Sequence, residues 1–255
     1  MDLARHLDAI ATAGQQMVAA LAVAGPDAAV PTCPGWVVRD AVRHQGEVHR
    51  WATAIVRDAL VRPDVDSEAL AKPWPDDASL GRWLLDGCDA LVATLRDAPA
   101  DLECFAFLPA PSPRAFWARR QAHETGVHRA DVEAAAGSIS PFDDDIAVDG
   151  IGELLHGFAS RSRSKLRSTA PRSLLLDAGV ARWHVTILAD RLHVADRDDD
   201  RDGDREDGDA ACRVRAKPSD LFLFLWNRLP RDAVEVEGDS SVLDLWQSTM
   251  QIRWS

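Results

Sequence analysis

The 255-residue chain is poor in several things, and each shortage closes off a class of function. Its four cysteines, Cys33, Cys88, Cys104 and Cys212, stand far apart with no CxxC pair, which argues against a disulfide framework and against a thiolate metal site. They are read as reduced thiols without a shared role. Basic charge is in deficit: 29 Lys plus Arg face 41 Asp plus Glu, a net charge of −12, so the cationic surface that a phosphate backbone requires is lacking and no nucleic-acid partner is expected. No uninterrupted apolar run approaches the roughly 20 residues that cross a bilayer, and the start, MDLARHLDAIATAG, has no apolar signal core. The expectation is a cytoplasmic protein with no membrane partner. Apolar side chains, by contrast, make up 46% of the chain, enough for at least one sizeable core, and the length is comfortable for two domains.

Proline-rich breaks separate four stretches of helical periodicity. The first runs from about Asp2 to Val23 and is closed by Gly25-Pro26; the second follows PTCPG at 31–35 and continues to about Val61. The third spans about Ala78 to Arg96. A loop with Pro109, Pro111 and Pro113 leads to the fourth, about Arg114 to Ala136, stopped by Gly137. Helices joined this way pack as an antiparallel bundle, so residues 1–140 are expected to form an all-α four-helix bundle. After Pro141 one more helix, about Asp149 to Ser160, precedes strand-like runs at 173–176, 182–188, 192–196, 211–215 and 234–237. Asp220 to Arg228, with its LFLFLW core, reads as a buried helix, and a last helix lies near Val242 to Gln247. Residues 145–255 are therefore expected to be a small α+β domain of antiparallel strands and helices.

The run Asp196 to Asp209, DRDDDRDGDREDGD, holds nine acids and three arginines, a net −6 that is half of the charge of the whole chain. It is read as a solvated hairpin insertion. Its offsets partly imitate a calcium loop, but the twelfth position is Asp and no helices flank it, so calcium binding is not expected.

The segment with chemistry in it is Arg119 to Asp131, RRQAHETGVHRAD. His123 and His128 are five apart and diverge by about 140° on a helix, so they cannot share one ion there. Glu124 and His128, at i and i+4, can aim a carboxylate oxygen and an imidazole nitrogen at one point. Asp131 lies on the same face and could accept the other ring N–H of His128, fixing its tautomer. Alone, such a pair is as readily a surface contact. On the second helix His44 and His49 flank the apolar face at about −70° and +70°, and periodicity does not choose between them.

These residues, with Thr32-Cys33-Pro34-Gly35-Trp36-Val37-Val38-Arg39-Asp40 and His44 eight positions after Trp36, identify a resemblance. The chain resembles the mycothiol-dependent maleylpyruvate isomerase family, a branch of the DinB-like metal-binding bundles. The likeness extends to the C-terminal part, through Leu225-Trp226-Asn227-Arg228 and Val234 to Asp239. It implies a divalent metal, zinc by expectation, held by His44, Glu124 and His128, with Asp131 behind His128 and His49 left as a neighbour. It also implies mycothiol as cosubstrate, a thiolate that adds to the double bond of an electrophilic substrate, permits rotation and is expelled. Arg228 is the candidate for the arginine that assists in that family, since a guanidinium can hold a carboxylate through two N–H groups. Two rivals stand beside this expectation: thiol conjugation of other electrophiles, and a non-catalytic small-ligand-binding or regulatory protein that retains the metal site.

Overall fold

The computed structural model describes residues 1–197 and 210–251. Its contacts divide the chain into two compact units, Met1–Ser140 and Pro141–Ser255.

The first unit contains α1 (Leu3–Ala24), α2 (Val38–Arg57), the short α3 (Ser67–Ala71), α4 (Leu80–Asp97) and α5 (Pro113–Ala135). Local chemistry sets the helix starts. The Asp2 carboxylate accepts the Arg5 N–H at 2.8 Å, and Ser112 Oγ accepts the Ala115 N–H at 3.2 Å with Pro113 just inside the helix. At the head of α2, Asp40 Oδ2 accepts the Val37 N–H at 3.0 Å. The four long helices follow one another around the bundle in the order α1, α5, α2, α4, and the expected four-helix bundle is present. Met17, Leu21, Val38, Val42, Leu84 and Val132 bring all four into one core. By length and composition α1 is apolar enough to cross a membrane. In the bundle its Leu7, Ile10, Met17 and Leu21 are core residues.

Helices α2 and α4 approach closely because position 46 has no side chain. A Cβ on Gly46 would lie 2.0 Å from the Trp83 ring. The Arg50 guanidinium lies over that ring, 3.9 Å from its centre, and donates to Gly46 O and to Trp83 O at 2.9 Å each. Gly46→Ala must therefore push a clamped indole aside. Overpacking of this kind costs about 1–3 kcal/mol, and chemical denaturation should show that loss. An unchanged midpoint would mean that Trp83 moves freely.

The second unit opens with α6 (Asp144–Gly152), which widens into a π-helical stretch, Glu153–Ala159. The sequence expectation placed this helix later, at about 149–160. Five strands follow, β1 (Arg172–Asp177), β2 (Arg182–Ile187), β3 (Leu192–Arg197), β4 (Cys212–Arg215) and β5 (Glu235–Gly238), with α7 (Pro218–Leu225) and α8 (Ser241–Thr249). The sheet order is β3-β2-β1-β4-β5. Alternation in β2 buries Trp183, Val185 and Ile187, and central β1 buries Leu174, Leu175 and Leu176. α7 is buried along its length, and Trp246 of α8 donates its indole N–H to Leu225 O at 3.0 Å.

Two expectations need correction. The strands are not all antiparallel: β1 and β4 run parallel, with Leu174 opposite Cys212 and Asp177 opposite Arg215. Period-two alternation fixes which face a side chain takes and says nothing of the direction of its neighbour strand. The strands that flank the acidic run, β3 and β4, are not paired with each other, since β2 and β1 lie between them in the sheet. Residues 198–209 of that run lie outside the described residues.

Candidate metal centre

The candidate ligands meet between α2 and α5. Arg120, Glu124 and His128 follow at four-residue intervals on α5, with Asp131 one short turn further, so all four fall along one stripe of the helix. His44 faces them from α2. His128 Nε2 lies 3.4 Å and His44 Nε2 3.7 Å from the same oxygen, Glu124 Oε1. The donor atoms of His44, Glu124 and His128 all fall within 4.8 Å of one another, a set that could hold a metal ion.

Glu124 and His128 are each fixed from behind. Arg120 Nη2 donates to Glu124 Oε2 at 2.9 Å, and both side chains are buried. The other oxygen, Oε1, is buried and makes no hydrogen bond among the described residues. His128 Nδ1 sits 3.0 Å from Asp131 Oδ2, which leaves Nε2 turned toward Glu124. Asp131 is held in turn by the loop before α2. Thr32 Oγ1 donates to its Oδ1 at 2.5 Å, and the Cys33 thiol donates to its Oδ2 at 3.4 Å. That loop is compact because Val30 N–H donates to Trp36 O and Trp36 N–H to Cys33 O, each at 3.0 Å. Its Gly35 has a φ of 90°, a region that side chains disfavour. Trp36 stacks on His128 and meets His44 edge-on, with ring centroids 6.1 Å and 5.2 Å away.

Electrostatics follow from this packing. Burial pushes the Glu124 carboxyl up, but the Arg120 charge and the contacts with His128 and His44 outweigh it and hold it well below the usual carboxylate range. Burial alone would lower His128; its hydrogen bond to Asp131, its close approach to Glu124 and the charges of both carboxylates raise it to about 9. His49 goes the other way. Burial, reinforced by the Arg50 charge, lowers it to about 3, so it is neutral at neutral pH.

The structure thus brings together His44, Glu124, His128 and Asp131, but it turns both disputed histidines of α2 inward. His49 is fully buried, its Nε2 2.9 Å from Thr125 Oγ1, which also takes the Gln45 amide at 3.2 Å. His123 is buried too and meets His6 of α1 edge-on. Arg228 stands in the second unit just beyond α7, after the left-handed residue Asn227 (φ 59°), with its guanidinium donating to Trp226 O at 2.8 Å. Sequence reasoning had given no role to Arg120, Thr125 or the Cys33 thiol. The four-residue ladder from Arg120 to Glu124 was the one signal available for the first.

Residues 7–133 match the family model described as mycothiol maleylpyruvate isomerase N-terminal domain, and residues 145–245 match that of the MDMPI C-terminal domain. The chain belongs to the mycothiol maleylpyruvate isomerase family. Among solved structures it is similar to a crystal structure of the mycothiol-dependent maleylpyruvate isomerase and to one of a histidine-to-alanine mutant of it. The TM-scores are 0.62 and 0.63 and the identities 14% and 13%, with 93% of each chain covered in both cases. At that identity the likeness is one of fold. Among curated proteins, none matches the sequence.

Proposed function

We propose that this chain is a metal-dependent enzyme that uses a low-molecular-weight thiol, mycothiol, to carry out maleylpyruvate isomerase-like addition and elimination or thiol transfer to an electrophile. The observation that carries the reading is the convergence of two imidazole nitrogens on one buried carboxylate oxygen. For bonds of 2.0–2.1 Å a tetrahedral ion needs its ligands about 3.4 Å apart, and the separations of 3.4 Å and 3.7 Å suit that requirement. The buried oxygen without a hydrogen bond suits it as well, since such an atom otherwise sacrifices its solvation for nothing. Two imidazoles and a carboxylate are the donor set of catalytic zinc, which leaves coordination positions open.

When bound, a zinc ion would lower the pKa of a coordinated thiol well below its free value of about 8.5 and so supply thiolate at neutral pH. The residues of the chain provide the rest. Asp131 accepts the Nδ1–H of His128 and so keeps the Nε2 lone pair toward the ion, with Thr32 and Cys33 fixing Asp131 through both of its oxygens. Trp36 packs against both imidazoles. Arg228 is assigned, by its place in the family pattern, to hold a carboxylate of the electrophile.

Loss of the partner behind a liganding histidine typically weakens metal binding about 10–100-fold, so Asp131→Ala should lower zinc affinity by that much in a competition titration with a chromophoric chelator. Unchanged affinity would remove Asp131 from the site. The function itself is tested by incubating the zinc-loaded chain with mycothiol and either maleylpyruvate or a panel of electrophiles, with and without chelator. Chelator-sensitive turnover is expected, and the substrate that turns over distinguishes isomerisation from conjugation. A chain that takes up no metal, or that binds small ligands without any turnover, would overturn the reading in favour of a binding protein.

A further inference from the structure

The two oxygens of Glu124 have different surroundings. Oε2 takes the N–H of Arg120 at 2.9 Å, in a pair whose side chains are 1% and 6% exposed, while Oε1 alone faces His44 and His128. A carboxylate free of such a partner can present both oxygens to a metal ion, and a second bound oxygen would occupy a position that an incoming ligand needs. Resting on the metal reading above, we propose that Arg120 is a positioning residue that holds Glu124 in single-oxygen coordination and so keeps a place on the ion for a thiolate.

Charge supports the same assignment. Arg120 offsets the charge of the Glu124 carboxylate, so with Asp131 behind His128 the buried groups around a divalent ion sum to −1 rather than −2, and the ion keeps more of its attraction for an anionic sulfur. A guanidinium fits this task because it remains protonated when buried and donates through Nη2 to one carboxylate oxygen. Placing Arg120 one turn before Glu124, as Glu124 is one turn before His128, sets all three by helix geometry alone.

The test loads cobalt(II) in place of zinc into the full chain and its Arg120→Met and Arg120→Lys variants, then titrates N-acetylcysteine as the thiol. In Arg120→Met the visible ligand-field absorption should fall several-fold as coordination number rises. Thiolate binding, read from its charge-transfer band, should weaken about tenfold, the lower end of what loss of a supporting partner costs. Cobalt itself should bind no more weakly, since a nearby cation has been removed. Arg120→Lys keeps the charge and one donor and should stay close to the unmodified chain. Should Arg120→Met not fold, Arg120→Gln is read by the same spectra. An unchanged spectrum and thiol affinity in the neutral variant would overturn the proposal. So would equal loss of cobalt from the neutral and lysine variants, which would make Arg120 merely structural. Failure of the unmodified chain to take up cobalt or zinc would instead remove the metal reading, and this inference with it.

Discussion

His44→Ala is expected to lower zinc affinity by about a hundredfold or more, because on the proposed assignment it removes one of three protein ligands. The same change should cost the metal-free chain less stability than His49→Ala does, since the His44 side chain is 21% exposed and that of His49 is fully buried. His49→Ala should do the opposite. It leaves Thr125 without its imidazole partner and a hole in the bundle, at about 2–4 kcal/mol for the lost bond and cavity together, yet the converging donors are untouched. Metal content by mass spectrometry and unfolding curves on the two variants would separate them. Zinc lost from His49→Ala but kept by His44→Ala would show that the ligand assignment on α2 is reversed.

Stability of the metal-free chain should peak near pH 6.5, with two histidines shaping the two limbs. The folded pKa of His49 is depressed to about 3, so the folded state binds fewer protons than the unfolded chain between there and the ordinary value of 6.5. Its contribution is present above pH 6.5 and is lost as pH falls, by about 3 kcal/mol between pH 7 and pH 4. The folded pKa of His128 is raised to about 9, so its contribution is complete below 6.5 and lost as pH rises to 9. His49→Gln retains a donor near Thr125 but no titration, and should flatten the acid limb. A limb of unchanged slope in that variant would mean that carboxylates such as Glu124, also depressed, account for acid unfolding.

Much of the centre could be read from spacing because α5 is a single regular helix. Glu124 and His128 four apart, and Asp131 three beyond, must share a stripe whatever surrounds them. The choice between His44 and His49 was not legible in the same way. Both lie at the margin of the apolar face of α2, and which one meets Glu124 depends on the rotation of α2 against α5. That rotation is set by contacts such as Gly46 against Trp83, between residues 37 positions apart in the sequence. Cys33 was equally out of reach, since its thiol gains a partner only when the loop before α2 lies against a residue 98 positions later.

The sequence by itself determined the helices of the bundle, the approximate strands, the acidic composition and the stripe on α5. These depend on local propensity, capping and periodicity, which act over one or two turns. Only the tertiary structure decided that Arg120 divides the two oxygens of Glu124, that His49 is buried and neutral, and that β1 and β4 run parallel. Each of these turns on which surfaces meet, and a periodic pattern marks a surface as apolar or polar without naming what it faces. The meeting of α2 with α5 fixes the site; the return of β4 beside β1 fixes the sheet.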